Sequence, residues 1–429
     1  VTSKILLRGG CVLTLGSKSP NFPRADVLIE DDRVAEVGPG LRARDARTID
    51  ASDTIVMPGF VDAHRHAWRS LFRNLGTGAG RGPVPPPSLG DRTTPGDLYA
   101  ATLAGLLGAV EAGITTVVDW PDLPPGVEFS EAALRAHGDA GLRTVFVSTG
   151  PPTDAVVAGL TGAAGTATSI AFGATPSAGV APDAWAAARR LGLHIHAHAD
   201  PATAPLGTVA ELSRRGLLGG DVTLLHCTGV DDADLDAVAS SGAAVALTPA
   251  GDMAGAVGPP PVQGLIDRRL RPGLGVDDER IAPGDMFAQM RGLISLQHAT
   301  VFERKLAGKA GLPRLMSTRD VIRHATVDGA RAAGLGAVTG SLEPGMQADV
   351  VVLRTDRPNV FPINDPIGAV VWGMDTSNVD WVIAGGRVLV EQGVLQADVA
   401  RVRSLVADAR ERMVADTADA VGVASGGEG

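Results

Sequence analysis

The sequence predicts an α/β protein: a (β/α)8 TIM barrel carrying a small β-sandwich domain made from both termini. Three observations lead there. Eight apolar, strand-like runs recur through the middle of the chain, separated by stretches with helical spacing. Short strands broken by Gly and Asp crowd both ends. Six of the nine histidines fall at the C-terminal ends of three of the eight runs.

The first 54 residues read as strands and turns in "KILLRGGCVLTL", "ADVLIEDDRVAEVG" and "ARTIDASDTIVMPG". The same texture returns in "ADVVVLRTDRP" (348–358) and "VDWVIAGGRVLVEQG" (379–393). The small domain is therefore expected to span 1–54 plus 338–400, the barrel 55–337, and a C-terminal helix and tail 401–429. The barrel strands are expected at 55–61, 114–120, 142–148, 170–175, 192–199, 222–227, 243–248 and 272–277. Ala/Leu-rich stretches such as "TPGDLYAATLAGLLGAVEAG" and "DDADLDAVASSG" fill the gaps as helices; "TGPPTDAVVAGLTGAAGTATS" is the least helical of them. Strands alternating with helices pair in parallel through crossovers, and the length suits the ~250 residues of an eightfold barrel. No G-x-G-x-x-G follows the first strand, which counts against an open doubly wound sheet. The Pro/Gly-rich segment 76–97 is long for a connection and is expected to arch over the barrel mouth.

Composition narrows the function. A formal charge of −10 and an isoelectric point near 5.4 argue against nucleic acid or an anionic membrane as partner, leaving a small molecule. No run approaches the ~20 apolar residues of a membrane span, and none reads as a signal peptide. Cys11 and Cys227 cannot make a disulfide framework, so a reducing, cytoplasmic setting is expected.

The histidines carry the chemistry. His64 and His66 follow the first run, His194, His196 and His198 lie on the fifth, and His226 ends the sixth. Asp277 closes the eighth. Strand ends of a parallel barrel converge on one face, and residues two apart on a strand project to the same side. Two imidazoles, a third from the fifth strand and a carboxylate make a mixed N/O site for one divalent ion. Such a set suits Zn2+ ahead of Fe2+, Mn2+ or Ni2+ and leaves a position open. His137, His298 and His324 lie in helical stretches and read as structural.

These motifs resemble the amidohydrolase superfamily, in its branch of triazine hydrolases, S-adenosylhomocysteine-type deaminases and cytosine/guanine deaminases. "VMPGFVDAHRH" resembles that family's first-strand metal motif, and "LLHCTGVDDADLDAVASSGAAVALTP" its sixth-to-seventh strand passage. "PGLGVDD" is similar to its eighth-strand aspartate, and "HATVDGARAAGLGAVTGSLEPGMQADVVVL" to its return to the β domain. The resemblance implies that His64, His66, a fifth-strand histidine and Asp277 hold the ion. It also implies that Asp277 is the general base, that His226 touches substrate or the attacking water, and that the protein is a homodimer. Laying "GLHIHAHADP" on the family pattern makes His198 the ligand and His196 its neighbour; His196 is the alternative.

The same alignment shows a departure. Family deaminases carry a glutamate three residues past that ligand, where this chain has Pro201, or Ala199 if His196 is the ligand. Asp200 is one place off. The resemblance therefore points to metal-assisted hydrolysis of a C–N or related bond in a small cyclic or aromatic molecule. The alternative is a heterocycle-forming cyclodehydration of the benzoxazole type in a biosynthetic pathway. Trp68 and Trp120 offer a flat wall for such a ring or simply pack beneath loops. Arg69 or Arg73 could meet a substrate carboxylate or form surface ion pairs.

Overall fold

The structure, a computed structural model, describes residues 3–74, 93–124, 126–176, 180–201, 203–255 and 258–421, with side chains to 412. Five strands come first: β1 Lys4–Val12, β2 Phe22–Glu30, β3 Arg33–Gly38, β4 Arg47–Asp50 and β5 Thr54–Pro58. The barrel strands follow. They are β6 Phe60–Arg65, β7 Ile114–Asp119, β8 Arg143–Ser148, β9 Thr168–Ala174, β10 Ile195–His198, β11 Val222–Leu225, β12 Ala244–Leu247 and β13 Gly273–Leu274. The chain then returns through β14 Val350–Arg354, β15 Val379–Ala384, β16 Arg387–Glu391 and β17 Val394–Leu395.

The strands from the two ends of the chain form one mixed sheet in the order β17-β16-β15-β14-β5-β1-β2-β3, with β4 also on β1. The termini meet where β14 runs antiparallel to β5, Val352 opposite Val56. This branched sheet gathers one apolar core, with Leu7, Val27, Val56, Val350 and Trp381 among its members.

The apolar run expected as the first barrel strand is divided between the two sheets. Thr54–Pro58 stays in the mixed sheet, Gly59 turns the chain, and Phe60–Arg65 enters the barrel. A Cβ on Gly59 would lie 2.2 Å from the Thr115 side chain, so only glycine fits this corner.

The barrel strands pair in parallel and in sequence order from β6 to β13. The eighth strand is two residues long by regular pairing, but its extension closes the ring on β6: Asp277 N donates to His64 O at 2.8 Å and His66 N to Asp277 O at 2.9 Å. Helices cover the outside, including Asp154–Ala163 in the connection that read as least helical, where Thr153 caps the N-terminus. Inside, Val61, Val118, Val145 and Ala171 pack together, and Ala330, Ala332 and Ala333 plug the N-terminal end. The 76–97 connection lies outside the described residues as far as 92; at its far end the helix Pro95–Glu111 starts on a capping box of Thr94 and Asp97. No helix among the described residues is long and apolar enough to cross a membrane.

Candidate active site

The C-terminal ends of β6, β10 and β11 and the extension of β13 bring four imidazoles and a carboxylate together. Two triads of potential ligand atoms, His64–His198–His226 and His64–His66–Asp277, each fall within 4.8 Å and share His64. Asp277 Oδ1 lies 3.4 Å from His66 Nε2 and 3.7 Å from His64 Nε2. The cluster is tight because β6 and the β13 extension touch: a Cβ on Gly275 would sit 2.7 Å from the His64 carbonyl oxygen. Asp277 and His226 both adopt left-handed backbone, φ 65° and 64°, a strain that active sites tolerate.

The donor set fits a divalent ion. His64 is fully buried and neither ring nitrogen has a hydrogen-bond partner. Leaving a buried imidazole unsatisfied is costly, and an ion relieves it. Burial, helped by the neighbouring imidazoles, holds the His64 pKa well below its ordinary value, and burial lowers that of His198 against the pull of Asp200. Neutral imidazole is the form that binds metal.

Carboxylates back three of these rings. Asp122 Oδ2 is 2.7 Å from His66 Nδ1, and Asp200 Oδ2 is 3.3 Å from His198 Nδ1. Asp252 Oδ1 accepts from His226 Nδ1 at 2.8 Å. For His226, burial opposes the charged form, but the Asp252 charge and hydrogen bond prevail and lift the pKa to about 9. Such partners orient metal-site histidines and raise their basicity. Of these three carboxylates the sequence pattern singles out only Asp200, one place from the family's glutamate position. Asp122, Asp200 and Asp252 lie three, two and five residues past the ends of β7, β10 and β12, so no single spacing marks them.

The structure departs from expectation at several residues. His196 joins neither triad among the described residues; it lies fully buried beside His194, ring centroids 5.0 Å apart, with both nitrogens unpartnered. Trp68 is 2% exposed because the chain enters the 3-10 turn Ala67–Phe72 straight after His66 and drives the indole against Phe72. Trp120 is 1% exposed and stands edge-on to His198 at 4.6 Å, so it buttresses the imidazoles from within the barrel rather than forming an open wall. Arg69 is spent on Asp122 at 2.6 Å and Asp278 at 3.0 Å, and Arg73 on Glu279. Both arginines thus tie the segment after His66 to the residues after Asp277. Pro201 stands beside Asp200, whose Oδ2 is already taken by His198 and the Thr203 hydroxyl.

An eightfold barrel with histidines and an aspartate converging at its strand ends defines the class of barrel hydrolases that work with a bound metal. The chain belongs to the amidohydrolase family, whose model matches residues 55–389. It is 29% identical to a 5'-deoxyadenosine deaminase of Methanothermobacter thermautotrophicus, with 91% of this chain and 94% of the relative covered. It is 28% identical to a 5-methylthioadenosine/S-adenosylhomocysteine deaminase of Desulfitobacterium hafniense, covering 93% and 96%. Among solved structures it is similar to a mutant atrazine chlorohydrolase of Arthrobacter aurescens complexed with zinc and atraton. That match has TM-score 0.81 and 22% identity over 95% of this chain and 100% of the other. A zinc-bound adenosine deaminase of Xanthomonas campestris matches at TM-score 0.79 and 22% identity, covering 96% and 99%. These structural likenesses speak for the fold.

Proposed function

We propose that this protein is a mononuclear zinc-dependent hydrolase acting on a C–N or related bond of a small cyclic or aromatic molecule. The observation that carries the reading is the pair of ligand triads sharing His64. His64, His66, His198 and Asp277 would hold the ion. Once bound, the ion supplies the Lewis acidity that makes water a nucleophile at neutral pH. Asp277 turns Oδ1 toward His64 and His66, leaving Oδ2 to take the proton of the attacking water. His226, held through Nδ1, has Nε2 free to stabilise charge that develops on the attacked group. The relatives named for deoxyadenosine, methylthioadenosine and atrazine suggest a nitrogen heterocycle as substrate.

Pro201 favours a second reading. With proline at that place and Asp200 engaged by His198 and Thr203, no carboxyl group there is free to protonate a ring nitrogen. A ring closure that expels water needs no such donor, so cyclodehydration to a heterocycle is the alternative on the same site. Turnover of a panel of adenosine analogues, substituted triazines and open-chain ring precursors in oxygen-18 water separates the two. Hydrolysis puts the label in the product; internal condensation leaves the product unlabelled. Metal-loaded protein that turns over substrate equally well as Asp277→Asn would defeat both.

A further inference from the structure

The short helix Pro249–Ala254 that follows β12 contributes no ligand, yet it touches both groups assigned proton or charge work. A Cβ on Gly251 would lie 3.2 Å from Asp277 Oδ2, so the helix backbone comes close against that carboxylate. Its next residue, Asp252, is 1% exposed and aims Oδ1 at His226 Nδ1, 2.8 Å away. Thr248 lies 2.9 Å from the same ring nitrogen, and its hydroxyl donates to Asp252 Oδ1 at 2.9 Å. The other carboxylate oxygen, Oδ2, is buried without a hydrogen-bond partner. A buried carboxylate with one idle oxygen is an expensive way to fill space, because its desolvation is only half offset. The cost makes sense if the carboxylate acts on the ring in front of it.

We propose that Asp252 is the positioning residue of His226: it keeps the proton on Nδ1, fixes the ring plane, and so presents Nε2 to the reacting atoms. Thr248 supports it by occupying the lone pair of Oδ1 that the imidazole does not use. An accepting carboxylate at Nδ1 selects the tautomer with a bare Nε2 in the neutral ring and donors at both nitrogens in the charged one. Either way, the nitrogen facing the cluster is set by a residue that never touches substrate. The inference rests on the reading that His226 serves the reaction, but its first test does not.

The test uses full-length, zinc-loaded protein with histidine ring nitrogens labelled with 15N. The His226 resonances are assigned by their loss in His226→Gln. In the unaltered protein, Nδ1 should show the downfield bonded proton of a charge-assisted hydrogen bond. Asp252→Asn keeps the shape and an acceptor oxygen but removes the charge, so this signal should move upfield while zinc content stays at the level of the unaltered protein. Asp252→Ala should lose the signal. With any substrate the enzyme turns over, Asp252→Ala should lower kcat roughly 10- to 100-fold with KM little changed, and Asp252→Asn should recover part of it. If Asp252→Ala does not fold, the isosteric Asp252→Asn decides alone. An unmoved Nδ1 resonance and an unchanged kcat in that folded variant would overturn the proposal. A moved resonance in a protein that turns over nothing would sink the functional reading and leave the positioning role standing.

Discussion

The two ends of the barrel are made of the same eight strands and differ in almost every other respect. At the N-terminal end, alanines 330, 332 and 333 fill the interior, and the Thr223 hydroxyl donates to the Ala332 carbonyl at 2.7 Å. At the C-terminal end, imidazoles and carboxylates crowd the rim, His226, Cys227 and Asp277 have positive φ, and neither ring nitrogen of His64 has a hydrogen-bond partner. The first end is closely packed, with only small hydroxyls such as those of Thr115 and Thr116 left without a partner. The second holds unsatisfied donors and strained backbone that packing alone would not select. In parallel barrels stability tends to reside at one end and chemistry at the other, and here the clustered imidazoles and the left-handed backbone mark which is which.

The sharpest way to break this comparison is to substitute the acid at the rim. Asp277→Asn in zinc-loaded protein should lower kcat by at least ~100-fold, the span of lost general-base catalysis. With zinc removed from both, its melting temperature should stay near that of the unaltered protein. A large loss of stability with turnover intact would reverse the roles assigned to the two ends.

Removing the ion comes next. Exhaustive chelation should abolish turnover, and zinc should restore it. Loading should raise the melting temperature, since a ligand bound only by the folded state stabilises it by mass action. Elemental analysis beside calorimetry checks this. The rise should vanish in His64→Ala, because His64 belongs to both ligand triads.

At the opposite end, Gly329→Val should cost stability and spare chemistry. A Cβ there would lie 3.1 Å from Val61 Cβ and 3.2 Å from the His324 carbonyl oxygen, so branching overpacks the plug by about 1–3 kcal/mol. Denaturant titration should show the loss, while zinc content and kcat of the folded fraction stay put.

How much of this was legible before folding follows the same division. The histidine-bearing strand ends were readable because alternation puts residues two apart on one side, and a parallel barrel collects its strand ends. Arg69 stayed open between a substrate carboxylate and an ion pair because its partner Asp278 is 209 residues away in the chain, a separation no local pattern encodes. Trp68 stayed open for the converse reason: an indole beside a metal motif suits a pocket wall or a packed loop equally until the 3-10 turn at Ala67 turns it inward. The split of one apolar run at Gly59 was hidden because both halves are buried and equally apolar. His196 and His198 could not be separated by alternation, which gives them the same face; height along the strand distinguishes them, and only the closed barrel sets that height.

The mildest test concerns a histidine that immediately precedes the strand carrying His198. His194 is partly buried, its Nε2 lies 2.8 Å from Thr223 Oγ1, and burial lowers its pKa to about 4 despite the opposing charge of Asp221. A histidine whose folded pKa falls below its unfolded value of ~6.5 binds fewer protons folded than unfolded across that interval. Its contribution is therefore complete above pH ~6.5 and is lost as the pH falls toward 4, up to about 3 kcal/mol. His194→Gln should flatten this part of the stability curve, narrowing the difference in unfolding free energy between neutral and mildly acidic solution. The effect should be the same with and without zinc, because His194 belongs to neither ligand triad. Acid sensitivity arising from the rim imidazoles should instead change with zinc, since protons and the ion compete for the same nitrogens. Equal sensitivity of both contributions to zinc would mean that His194 and the rim are not independent.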